Sequence, residues 1–193
     1  MSSVEGPLPK RLLRRDAADN RARLLEAAET VFAQRGANGD VREIARLAGV
    51  STGTLYRHFP SKRALIDAVM ADVIDHWVTE SVRIARGEDA WAALHGFMEE
   101  TLRQQAAHRV LLQTFRADHA IASEHDIYRH SIEPVLVDVV ARAHAAGALR
   151  DGVTADDVAL LLLALGRTIE LFEDTAPGTW RRGLELVVQG LQR

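Results

Sequence analysis

The sequence predicts an all-α protein, and three observations carry that prediction. Thirty of its 193 residues are alanine and only five are proline, a balance that favours helix interiors. Apolar residues recur at three- and four-residue intervals, with no stretch of clean two-residue alternation. Glycines, prolines and short polar residues sit between the periodic segments, where helix caps and breaks belong. With 47% hydrophobic positions the chain is long enough for one or two domains with a real core. It has no cysteine, which excludes disulfides and thiolate metal sites. The longest apolar run, Val158 to Leu165, is eight residues, far short of the ~20 that span a bilayer. Met1 to Asp16 lacks the apolar segment of a signal peptide. No membrane association and a cytoplasmic location are therefore expected.

Each element has its own signal. Met1 to Lys10 holds two prolines and a glycine and reads as a floppy lead-in, made basic by Lys10, Arg11, Arg14 and Arg15. A first helix is expected from about Asn20 to Arg35, with Leu24, Ala28, Val31 and Phe32 on one face and Gly36 as its stop. A short helix follows from Val41 to Ala48. Asp40 is its N-cap, and Glu43 three places on suggests a capping box. Ser51 caps a third helix that ends at Pro60. Ser61 caps a long fourth helix striped by Leu65, Val69, Val73 and Trp77. Five further helices are expected: Asp89 to about His108, Val110 to Ile121, Ile127 to Ala146 with Pro134 as an early-turn residue or kink, Thr154 to about Glu173, and Trp180 to Gln192.

The net charge of −3 hides an asymmetry. Residues 1–67 hold 12 Lys/Arg and 8 Asp/Glu, a net of +4, whereas residues 68–193 hold 12 and 19, a net of −7. Two functionally different parts follow, divided here into a basic arm (1–18), a reading domain (19–64) and a larger helical domain (65–193). Residues 40–63 carry the clearest functional signal. Two short helices joined at Gly49 have the geometry of a helix-turn-helix. The second exposes Ser51, Thr52, Gly53, Thr54, Tyr56, Arg57 and His58, and turns Leu55 and Phe59 inward. Such a helix fits a major groove about 12 Å wide.

The stretch closely resembles the N-terminal domain of the TetR family of transcriptional regulators. The matching residues are Ile44-Ala45, Ala48-Gly49-Val50-Ser51, Gly53-Thr54-Leu55-Tyr56, His58-Phe59 and Ser61-Lys62, followed by Leu65, with Leu25, Ala28, Phe32 and Gly36 upstream. Ala37 departs from the pattern, standing where an aromatic is usual, and the connector to Asp40 is a residue short. The resemblance implies an N-terminal three-helix DNA-binding domain, a larger helical ligand-binding and dimerisation domain, and phosphate contacts by Tyr56 and His58. Lys62, in the first turn of the fourth helix, is a further phosphate candidate. Thr52, Gly53 and Thr54 are small enough for close approach, and threonine meets either a polar base edge or a thymine methyl. Arg42 and Arg57 reach a guanine or a phosphate. The arm at Lys10 to Arg15 either tracks the backbone or minor groove or remains a solvated tail.

The acidic part is a poor DNA surface. Val158 to Leu165 is apolar all round its helix and must be covered on every side, either by the core of one chain or by a core on one side and a second copy on the other. The resemblance implies the second option, a homodimer sealed by Leu161, Leu165, Leu184, Val187, Val188 and Leu191. It also implies a pocket for a small-molecule effector. Candidate lining residues are Trp77, Phe97, Leu111, Phe115, His119 and Tyr128, with Gln113 and Arg116 as polar anchors. His119, His125 and His130 are spaced by six and five, off any single helical face. No HExxH, nucleophile elbow, P-loop or dinucleotide glycine pattern occurs. No metal, cofactor or enzymatic activity is expected. The reading is a dimeric repressor released from a double-stranded DNA operator by a small molecule. The alternative is a helical ligand-binding or interaction protein that no longer reads DNA.

Overall fold

The computed structural model describes residues 10–110, 112 and 128–193, and the side chains of all of these except 10–15, 128 and 129. Within that range the chain is helical, and no strand occurs beyond one isolated bridge, Leu149 to Gln192. Helix α1 spans Lys10–Arg35, α2 Val41–Leu47, α3 Thr52–His58, α4 Lys62–Ala85, α5 Ala90–Ala107, α6 Glu133–Ala145, α7 Ala155–Phe172 and α8 Thr179–Leu191. The expected helix from Val110 to Ile121 lies largely outside the described residues. The chain divides into two compact units between Met70 and Ala71, and α4 crosses that boundary.

In the first unit, α1 begins ten residues before the expected start. Residues 10–18 are helical rather than floppy, because nothing from Lys10 to Arg35 is glycine or proline and leucine, arginine and alanine are strong helix formers. Leu24, Ala28, Phe32, Ile44, Leu55 and Leu65 are fully buried, each stabilising by about 1.5–3 kcal/mol where the side chain is large. The short connector works through two glycines. Gly36, at φ 53°, takes the left-handed turn that opens a single 3-10 turn through Asn38. Gly39 then lies so close to α1 that a Cβ there would fall 2.8 Å from both Phe32 Cδ1 and Val31 Cγ1.

The second unit has one continuous core. Leu94, Phe97, Met98 and Leu102 of α5 meet Leu136, Val139, Val140 and Ala143 of α6, Val158, Leu162 and Ile169 of α7, and Trp180, Leu184, Val188 and Leu191 of α8. The helix expected from Ile127 enters as a π turn, Tyr128–Ile132, and becomes α-helical at Glu133 with Pro134 in its first turn. Thr154 and Asp157 form a full capping box at the start of α7. Arg142 of α6 donates to the carbonyls of Ala85 and Gly87, holding the last turn of α4. After α8 the chain is tied back, Arg193 N–H to Ala148 O at 3.1 Å and Arg150 N–H to Leu191 O at 2.9 Å. No helix in the described residues is long and apolar enough to cross a membrane.

Candidate nucleic-acid interface and regulatory unit

The reading pair is built by local chemistry. Asp40 caps α2 by accepting from Arg42 N–H at 2.8 Å. Glu43, expected to complete a capping box there, instead takes Arg35 of α1 at 2.7 Å and ties the two helices together. At the other end Gly49 N–H bonds Arg46 O and Val50 N–H bonds Ala45 O, the doubled closure of a Schellman turn. It requires the left-handed φ of 67° that Gly49 adopts. Ser51 then caps α3, its Oγ accepting from Thr54 N–H at 3.1 Å. The same Oγ lies 3.0 Å from Thr54 Oγ1, so the Thr54 hydroxyl is held by the cap. Phe59 is extended and, with Pro60, ends the helix.

This frame sorts the candidate residues. Leu55 and Phe59 are buried beneath α3. Ser51, Thr52, Gly53, Tyr56 and Arg57 are exposed, as is Arg42 on α2, while Thr54, His58 and Lys62 are half-buried. Arg35 and Arg63 are engaged by Glu43 and Asp67. Arg42, Arg46, Arg57 and Lys62 form no ion pair among the described residues and leave a net positive surface. Three basic side chains lie at this surface without a sequence signal. Arg46 is exposed one turn after Arg42. Arg21 stacks its guanidinium 5.5 Å over the Phe59 ring. Arg23 reaches the turn, its Nη1 3.6 Å from where a Gly49 Cβ would stand. The latter two are brought from α1 by tertiary packing alone. The side chains of Lys10, Arg11, Arg14 and Arg15 lie outside the described residues.

The comparisons with known proteins bear on both units. Residues 24–69 match the model of bacterial regulatory proteins, tetR family, and residues 89–193 match the C-terminal domain of SbtR-like transcriptional regulators. The chain belongs to the TetR family. It is 30% identical over 142 residues to the transcriptional repressor KstR2 of Rhodococcus jostii, covering 72% of this chain and 69% of that protein. A TetR regulatory protein from Mycobacterium vanbaalenii has a similar structure, with TM-score 0.69, 31% identity, and 94% and 99% of the two chains covered. The ketosteroid transcriptional regulator KstR2 of Mycobacterium tuberculosis gives 0.61, 25%, 90% and 95%. As a TetR-family member this chain is a DNA-binding transcriptional regulator, and its relatives are regulators rather than enzymes.

In this TetR-family chain the regulatory unit departs from the sequence reading in one respect. Leu184, Val188 and Leu191, expected at a subunit interface, are buried in the chain's own core, and Leu161, Leu165 and Val187 are half-buried against it. The phase of α8 explains the difference. Trp180, Leu184, Val188 and Leu191 share one stripe, and that stripe covers α5 and α7. Gly183 permits the approach, since a Cβ there would fall 2.7 Å from Leu165 Cδ2. The apolar side chains left outside are Leu160, Leu163, Leu171 and Phe172 of α7 and Leu186 of α8, each at least half exposed. The chain alone therefore does not cover α7 on every side.

Of the expected pocket residues, Phe97 is fully buried and Trp77 packs half-buried against the core. Leu111, Gln113, Phe115, Arg116 and His119 lie outside the described residues, and Tyr128 is described in its backbone only. A recess of about 10 Å³, room for one water, opens among Gln105, Arg109, Leu112, Gly166, Ile169 and Glu170. Inside the unit, Glu100 is buried and bound by Arg103 and Gln104 at 2.7 and 2.8 Å. The hydrogen bond from Arg103, and after it that from Gln104, holds its carboxyl below the ordinary carboxylate range against the opposing effect of burial. The indole N–H of Trp77 and the hydroxyls of Ser81 and Thr101 are shut from solvent and make no hydrogen bond. Among the described residues no cluster of His, Asp and Glu could hold a metal ion.

Proposed function

We propose that the protein is a cytoplasmic, dimeric repressor that reads an inverted-repeat operator and is released from it by a small molecule. The observation that carries the reading is the α2–α3 frame. A closed glycine turn and a self-contained Ser51 cap leave seven of the nine candidate DNA contacts on or before α3 with few competing internal bonds. Tyr56, His58 and Lys62 position the protein on phosphates, and Thr52, Gly53 and Thr54 face base edges, with Arg42 and Arg57 at longer reach. Because the Thr54 hydroxyl is held by Ser51, Thr54 reads through its methyl group, which suits a thymine 5-methyl.

The dimer forms through the exposed stripe of α7 and α8, centred on Leu160, Leu163 and Leu186, with Leu161, Leu165 and Val187 at its margin. Five large exposed apolar side chains on two adjacent helices are what an isologous helical interface requires. A twofold dimer places its half-site centres about 34 Å apart, or a larger multiple of a helical turn. The small molecule acts by binding the unit from Ala71 better in a conformation that does not match both half-sites. By linkage, operator must weaken effector binding by the same factor. Retardation of the DNA flanking its own gene tests the reading. Sequence-selective retardation, competed by that DNA and not by an unrelated duplex, is expected. Indifference to sequence at every salt concentration would sink it.

A further inference from the structure

The regulatory unit contains three buried polar atoms with no partner, and they belong to one helix pair. Ser81 is 0% exposed and Thr101 4%, and the indole nitrogen of Trp77 is equally closed to water. Trp77 and Ser81 are four residues apart on α4 and share a face. The register of α4 against α5 is fixed by Gly96, whose Cβ would stand 2.9 Å from Ile84 Cγ2. Glu80 acts electrostatically on Arg103 and His76 on Glu100. About one turn inward from the Ile84–Gly96 contact, α4 presents Ser81 and α5 presents Thr101. Trp77 follows one turn further along α4. Folded proteins leave few buried donors unmet, because each has given up water without a replacement.

We propose that these three groups are the polar recognition set for a ligand that is uncharged, carries a carbonyl oxygen and has an apolar body. The proposal rests on the effector reading above and gives that site its chemistry. An indole N–H only donates, and each hydroxyl can donate, so the set asks for an acceptor. Charge is already balanced nearby. Glu100, beside Thr101, is closed by Arg103 and Gln104, so no unpaired cation awaits a carboxylate or phosphate. Phe97 and Met98, one turn before Thr101 on α5, are fully buried and apolar. A ketone, ester or lactone oxygen on a hydrocarbon frame satisfies both features, whereas a plain hydrocarbon leaves the donors unmet.

The test uses the full-length protein and matched probes, cyclooctanone and cyclododecanone against cyclooctane and cyclododecane, with binding followed by tryptophan fluorescence and calorimetry. At least one ketone should bind about tenfold tighter than its cycloalkane. Thr101→Val and Ser81→Ala should each reduce that ratio several-fold. In the unliganded protein Thr101→Val should hold or raise Tm, since it removes an unmet hydroxyl and keeps the shape. Equal affinity for ketone and cycloalkane, or no binding of any probe, overturns the proposal. So does a fall of several degrees in Tm for both variants, which would make the hydroxyls structural. Operator release separates the two layers. Ketone binding through these groups without release leaves the donor set standing and defeats the effector reading. Release by compounds whose potency neither variant changes defeats the donor set alone.

Discussion

In the unit up to Met70, each helix of the reading pair closes its own first turn, Asp40 on Arg42 and Ser51 on Thr54, and the large apolar side chains beneath are covered. In the unit from Ala71, three polar atoms are buried without partners while five large apolar side chains stand outside. The first unit is finished by its own sequence and turns finished polar groups outward. The second is unfinished in two places, one inside and one outside. Its buried donors lack acceptors and its exposed leucines lack cover. A part that must hold one shape to read DNA satisfies itself. A part that must respond to something else leaves room for that thing in its energetics.

The sharpest way to break this comparison is within α7 and α8. Leu184→Ala removes a fully packed core side chain and should cost about 2–5 kcal/mol, seen as a large loss in denaturant midpoint. Leu163→Glu, on a residue 68% exposed, should leave the helical signal and chemical stability of the monomer nearly unchanged while sedimentation shows loss of the dimer. If Leu163→Glu unfolds the protein, or Leu184→Ala merely dissociates it, inside and outside have been assigned the wrong way round.

Next in size is Gly39→Ala. Its new methyl would collide with Phe32 and Val31, and overpacking of this kind costs about 1–3 kcal/mol. The loss should appear in the melting of the first unit, read by hydrogen exchange in α1 and α2, with the core of the second unit unaffected. A neutral outcome would mean that the connector gives way and does not fix α2 against α1.

Acid pH sharpens the contrast further. The Glu100 carboxyl has its pKa lowered in the folded protein, so its contribution to stability is complete above the ordinary carboxylate range and is lost as pH falls through the depressed folded value. Glu100→Gln should therefore flatten the acid limb of the stability curve of the second unit. Equal acid sensitivity in wild type and variant would remove Glu100 from the account.

How much of this was legible beforehand depends on how local each feature is. The caps at Asp40, Ser51 and Thr154 and the glycine turn at Gly49 are three- to six-residue patterns, and the sequence displays them whole. The phase of α8 is not local. Leu184, Val187, Val188 and Leu191 form as good a stripe as any interface needs, and only packing against α5 and α7 shows that three of them point into the protomer. Residues 10–18 read as an arm because their charge obscures strong helix formers. Gly39, Arg21 and Arg23 matter through what α1 brings near them. Ser81 and Thr101 escaped notice because a small hydroxyl in a helix has no signature until its missing partner is seen.

The smallest expected effects lie in the reading helix. Lys62→Ala should weaken binding to all DNA alike and lower the salt slope by about one unit. Thr54→Val, which keeps the methyl, should preserve base preference, and Thr54→Ser, which keeps the hydroxyl, should lose discrimination between thymine and uracil at one position. The reverse pattern would give Thr54 a polar base edge to read.

The central claim, that a paired reading helix recognises DNA by sequence, is tested most directly by selecting bound duplexes from a random pool with the wild-type protein. The account predicts enrichment of one inverted repeat with half-site centres about one helical turn or more apart, carrying thymine where Thr54 meets the groove. A pool that returns no enriched sequence, or only single asymmetric half-sites, would contradict it.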